Sequence, residues 1–135
     1  MTVSPAARFE LAALVAVLAA AAVVYTVDPA ASRLLPPCPL HTLTGVLCPG
    51  CGSTRALHAL LHGRIASAFG FNALAVLFLP IFVYSFASRV SRLLRGRPLP
   101  APFLKAGAIY ALLASIVIFA VARNIPLPPF SALAP

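Results

Sequence analysis

Cys38-Pro39-Leu40-His41 is followed, ten positions on, by Cys48-Pro49-Gly50-Cys51-Gly52-Ser53-Thr54-Arg55. The stretch holds all three cysteines of the chain, and hydrophobic runs flank it on both sides. Read together, the polar stretch and its flanks predict an all-α membrane protein. Three transmembrane helices and a short interfacial helix hold a cysteine-containing loop in place.

Composition supports that class. Of the 135 residues, 61% are hydrophobic and only 9% are charged. A soluble domain needs far more charge on its surface. Ten residues are basic and two acidic, a net charge of +8. In this context the excess points to topology control and to contact with anionic headgroups of a lipid bilayer. No basic stripe interleaved with aromatics points to nucleic acid.

Outward from the loop, the first apolar run covers residues 9–27, about the 20 residues a spanning helix needs. A cleaved leader ending near Ala30-Ala31-Ser32 is its rival, but the weakly basic start and the length of the run favour a retained helix. Pro29, Pro36, Pro37 and Pro39 then break regular helix, so residues 33–54 read as a loop with a short extended piece turning at Gly45. Ser53 or Thr54 can cap an interfacial helix over 55–63, with Arg55, His58 and His62 on one face. The second span is placed at 69–88, with Pro80 expected to kink it. A basic loop follows over 89–103, and the third span covers 104–122. Arg8, Arg89, Arg92, Arg95, Arg97 and Lys105 on one side outnumber Arg33, Arg55, Arg64 and Arg123 on the other. The majority side is predicted to be cytoplasmic, which puts the cysteine loop outside.

The loop carries the chemistry. Cys-Pro-x-Cys-Gly has the shape of a metal knuckle, and Cys38-Pro39-Leu40-His41 repeats the Cys-Pro-x-ligand pattern. A zinc site would draw on Cys38, His41, Cys48 and Cys51, with His58 as an alternative fourth ligand. In an oxidising compartment, Cys38 could instead pair with Cys48 or Cys51 as a disulfide. Cys48 and Cys51 also make a dithiol redox motif, although no βαβ pattern accompanies it. Inert packing of three small apolar side chains is the plainest alternative. A disulfide and a metal site both require the sulfurs to converge, over the start of the helix near Arg55; inert packing does not, and the redox motif could rest on Cys48 and Cys51 alone. Arg55 itself either snorkels at the interface or ties the loop together through carbonyls, Asn72 and Asn124. Glu10 and Asp28 are the only acids and stand at opposite ends of the first span, which removes carboxylate-pair hydrolysis. No Ser-His-Asp set, phosphate loop or dinucleotide fingerprint is present.

From Cys38 to Asn72, and again near Asn124, the chain resembles the DUF2752 family of small bacterial membrane proteins of unknown function. Cys38, Pro39, Thr44, Gly45, Cys48, Pro49, Cys51, Gly52, Thr54, Arg55, Gly63, Asn72 and Asn124 occupy its motif positions. Arg64 stands where that family usually has an acid, and Ala73 where it usually has proline. The resemblance implies a multi-pass protein of the bacterial cell membrane and no known activity.

The reading that follows is a membrane module whose cysteine loop is a structural or partner-binding platform, for a membrane protein partner or a second copy. The alternatives are a thiol–disulfide oxidoreductase using Cys48 and Cys51, and a zinc-binding protein.

Overall fold

The computed structural model describes residues 5–32, 38–100 and 106–133. Among them every regular element is helical: α1 (Pro5–Thr26), α2 (Pro39–Thr44), α3 (Ser53–Leu61), α4 (Ile65–Arg95), α5 (Ala106–Ala122) and a closing 3-10 turn (Phe130–Leu133). Two helices, α1 and α4, are long and apolar enough to cross a membrane by length and composition. Three were expected. The described part of α5 is apolar but only 17 residues long, short of the roughly 20 a span needs. Leu104 and Lys105, where that span was placed, lie outside the described residues, as do Arg33 at the start of the expected loop and residues 101–103 at the end of the basic one.

The long helices run antiparallel. At one end Glu10 of α1 accepts from Arg92 of α4 at 2.9 Å. At the other, His58 of α3 donates through Nδ1 to the Val24 carbonyl of α1 at 2.7 Å. Beyond α4, Gly96 caps the helix in the left-handed region and the chain folds back, with Leu99 N–H donating to Ser88 Oγ and Ser91 Oγ to the Arg97 carbonyl.

Three local expectations change. Residues 39–44 are helix rather than loop and extended chain, because Pro39 sits in the first turn, where a missing N–H costs nothing. Helix α3 starts at Ser53, and its N-cap is Gly52 at φ 82, a conformation glycine adopts without strain. Finally, α4 breaks at Asn72 (φ −162, ψ 94) and keeps helical torsions through Pro80. The Asn72 side chain explains the break. Its Oδ1 accepts from Ala75 N–H at 3.0 Å, the bond an N-cap residue makes three positions on. Residues 65–71 and 73–95 are thus two helices joined at a capped corner.

The first of these folds back on α3 as a hairpin, turned at Gly63 (φ 72). Its buried seam consists of Ala56, Ala59 and Ala68, flanked by Leu60, Phe71 and Val76. Small side chains let the two backbones approach closely, the packing favoured where no large residue must be accommodated. This hairpin is the floor on which the cysteine loop rests.

Candidate metal centre

Each sulfur arrives from a different local device. Cys38 occupies the N-cap position of α2, and its carbonyl accepts from Thr42 N–H and Thr42 Oγ1, both at 2.9 Å. Gly45, at φ 72, ends α2 and reverses the chain. Thr44 secures that reversal by donating to the Leu40 carbonyl at 2.6 Å and accepting from Val46 N–H at 3.2 Å. Cys48 and Cys51 then share one turn, closed by Cys51 N–H donating to the Cys48 carbonyl at 3.1 Å, and Gly52 leads out into α3.

The three sulfurs converge. Cys38 Sγ lies 3.4 Å from Cys48 Sγ, which lies 3.2 Å from Cys51 Sγ, and all three fall within 4.8 Å of one another. All three thiols are free. Ligands about 2.3 Å from a tetrahedral zinc stand about 3.8 Å apart, so the spacing suits three thiolates on one ion. Neither histidine joins them. Nδ1 of His41 turns to the Gly45 carbonyl at 3.2 Å, and His58 faces α1 with its ring tilted against that of His62. Of the four-ligand set, the structure brings Cys38, Cys48 and Cys51 together and places His41 and the alternative His58 on other partners.

The loop backbone is gripped from two sides. From α4, Nδ2 of Asn72 lies within 2.8 Å of the Pro49 carbonyl, 3.1 Å of the Cys51 carbonyl and 3.0 Å of Ser53 Oγ. Its two hydrogens are shared among these three acceptors. Beyond α5, Asn124 takes Leu47 N–H at 2.9 Å and donates to the Leu47 carbonyl at 2.8 Å, as a neighbouring strand would. Arg123 reaches further in. Its Nη1 donates to the Cys51 carbonyl at 2.9 Å and to the Cys48 carbonyl at 3.3 Å.

Arg123 is the residue that sequence reasoning missed. The role given to Arg55, tying the loop through its carbonyls, belongs to Arg123. Arg55 is half-buried, its guanidinium 5.4 Å over the Phe71 ring. Arg123 is 1% exposed and stacks 5.1 Å from Phe119. One signal was present: an arginine directly after an apolar run that returns to the cysteine side. Thr54 is exposed on α3.

The environments of the sulfurs differ. The His41 backbone N–H, then the Cys48 and Cys51 thiols, hold the Cys38 thiol down to about 7. Burial, then hydrogen bonds with Cys48 and Cys38, pushes Cys51 up to about 11. Cys38 therefore gives up its proton before Cys51, and Cys51 gives its proton up only to something that compensates the charge.

Fold and site together define a class: an all-helical protein with two helices of membrane length and a three-thiol loop bound between helix ends. The family model described as "Protein of unknown function (DUF2752)" matches residues 38–86, the part of the chain that carries the cysteine motif. No curated protein and no solved structure matches the chain.

Proposed function

We propose that this is an integral membrane protein whose Cys38, Cys48 and Cys51 bind a thiophilic metal ion, zinc foremost, with one coordination position left open. The observation that carries the reading is the set of three free thiols whose sulfurs lie within 4.8 Å of one another. Three protein ligands with an open fourth position is the arrangement of sites that exchange or present a ligand rather than closed structural ones. A donor from a partner protein would complete it, which gives the platform role a chemical content. In this reading α1, α4 and α5 all span the bilayer, and the thiol loop faces outward.

The test is metal analysis and cobalt substitution on reduced, detergent-purified protein. We expect one equivalent of metal and a thiolate-to-cobalt charge-transfer band of three-sulfur intensity. Replacing any one cysteine by serine should weaken binding by about a hundredfold or more. Absence of both metal and band would sink the reading.

One observation favours a second reading, thiol–disulfide exchange. A low-lying Cys38 thiol against Cys48 and a buried Cys51 thiol is the asymmetry an attacking and a resolving thiol need. A redox titration in glutathione buffers separates the two. Exchange predicts loss of two free thiols within the glutathione range, and metal binding predicts that the loaded protein keeps all three.

A further inference from the structure

We propose that Arg123 is the counter-charge of the loaded thiol site, a positioning residue that suits the site to a divalent ion held by three thiolates. The inference rests on the metal-binding reading above.

Arg123 is buried at 1% exposure, yet only its Nη1 is satisfied. Nε and Nη2 are buried and have no hydrogen-bond partner. Together they form one edge of the guanidinium, the edge that grips an anion with two parallel bonds. A buried cation with a free edge is costly unless an opposite charge meets it. The chain has two acids. Glu10 is engaged by Arg92, and Asp28 accepts from Ala30 N–H at 2.8 Å. The single ion pair among the described residues is the one at Glu10. What acts on its charge, besides the like-charged Arg55, is the thiols of Cys51 and Cys48, which belong to the two residues whose carbonyls it already holds.

Three thiolates and a divalent ion carry one net negative charge, which the buried Arg123 meets from the carbonyl side of the loop, with the half-buried Arg55 as a second, more exposed cation nearby. Loading supplies the counter-charge that the metal-free site lacks, beside a guanidinium whose Nε and Nη2 are unpartnered in the metal-free structure.

The test measures cadmium affinity of the purified wild type, Arg123→Gln and Arg123→Lys, following the thiolate-to-cadmium absorbance. We expect Arg123→Gln to bind about ten- to a hundredfold more weakly, as outer-sphere partners of metal ligands do when lost. Arg123→Lys, which keeps the charge, should recover most of that loss. Equal affinity of wild type and Arg123→Gln overturns the proposal and leaves the metal site standing. Equal loss in both variants also overturns it, because bracing of the carbonyls, not charge, would then be the role. A wild type that binds no cadmium removes both readings together. Should Arg123→Gln not fold, the wild type decides alone. With isotope-labelled arginine, the Arg123 Nε–H resonance must shift on cadmium loading, and a resonance that stays in place overturns the proposal.

Discussion

Cys38 and Cys51 share one cluster but hold their protons very differently. With Cys38 lowered to about 7 and Cys51 raised to about 11, metal-free protein at pH 8 carries its thiolate at Cys38. Iodoacetamide should therefore modify Cys38 before Cys51, with the Cys38 rate falling as pH drops through about 7. Peptide mapping of a short time course checks the order, and Cys51 reacting first would contradict it. The sign for stability follows. The Cys38 contribution is complete above the ordinary thiol value of 9.0 and is lost as pH falls through about 7. Asn72 makes a second residue-scale case. Asn72→Leu removes the cap on Ala75 and strands the Pro49 and Cys51 carbonyls, so it should cost about 2–4 kcal/mol. Asn72→Asp keeps the cap oxygen but turns a buried carboxylate oxygen on the same two carbonyls, and should lose at least as much. Detergent melting curves of the two variants test the ranking. At this scale the sequence showed the cysteines and asparagines as chemistry-bearing residues, because motif spacing is local. It did not reveal which arginine enters the site. Arg123 and Cys51 are 72 positions apart, and no local pattern distinguishes a buried guanidinium from one that snorkels.

Helix α5 is bound to the rest of the protein chiefly at its last turn, through Arg123 and Asn124. Asn124→Ala deletes both bonds to the Leu47 peptide and should cost about 1–2 kcal/mol. It should also speed hydrogen exchange at the Leu47 amide, while the α3–α4 hairpin keeps its protection. Unchanged exchange at Leu47 would show that the clamp contributes nothing. Elements were legible where apolar length decides them, as in α1 and α4. They were misread where a single side chain decides them. Proline at position 80 suggested a kink, but helical torsions persist there, and the corner falls where the Asn72 side chain can replace a lost backbone bond. The same local competition makes helix of residues 39–44, where the run of prolines had suggested loop.

At the scale of the molecule, the Glu10–Arg92 pair and the His58–Val24 contact fix which helix ends lie together. The cations Arg89, Arg92, Arg95 and Arg97 gather at the end away from the thiols. The charge rule then predicts that this end is cytoplasmic. In a background with the native cysteines replaced by serine, Ala31→Cys should react with a membrane-impermeant maleimide on intact cells. Pro98→Cys should react only after permeabilisation. The opposite labelling would invert the orientation. The two helices of membrane length were legible in composition, because their apolar runs are nearly free of charge. The convergence of three sulfurs was legible only as a requirement of the chemistry, since the turn at Gly45 and the clamps from α4 and α5 are set by contacts distant in sequence.

The alanine seam of the hairpin gives the site a mechanical vulnerability. Ala56, Ala59 and Ala68 are all but fully buried between α3 and the first part of α4. The Cys51 carbonyl is held from α4 by Asn72, while Cys51 itself leads into α3. Spacing between these helices is therefore also spacing at the thiols. Metal sites tolerate about 0.2 Å of error in ligand distance, far less than the width of one added methyl group. Ala59→Leu, remote from every sulfur in chemical terms, should act as a wedge and lower cadmium affinity while leaving all three thiols present and titratable. The hairpin works as a calliper, and its setting is read out at the sulfurs.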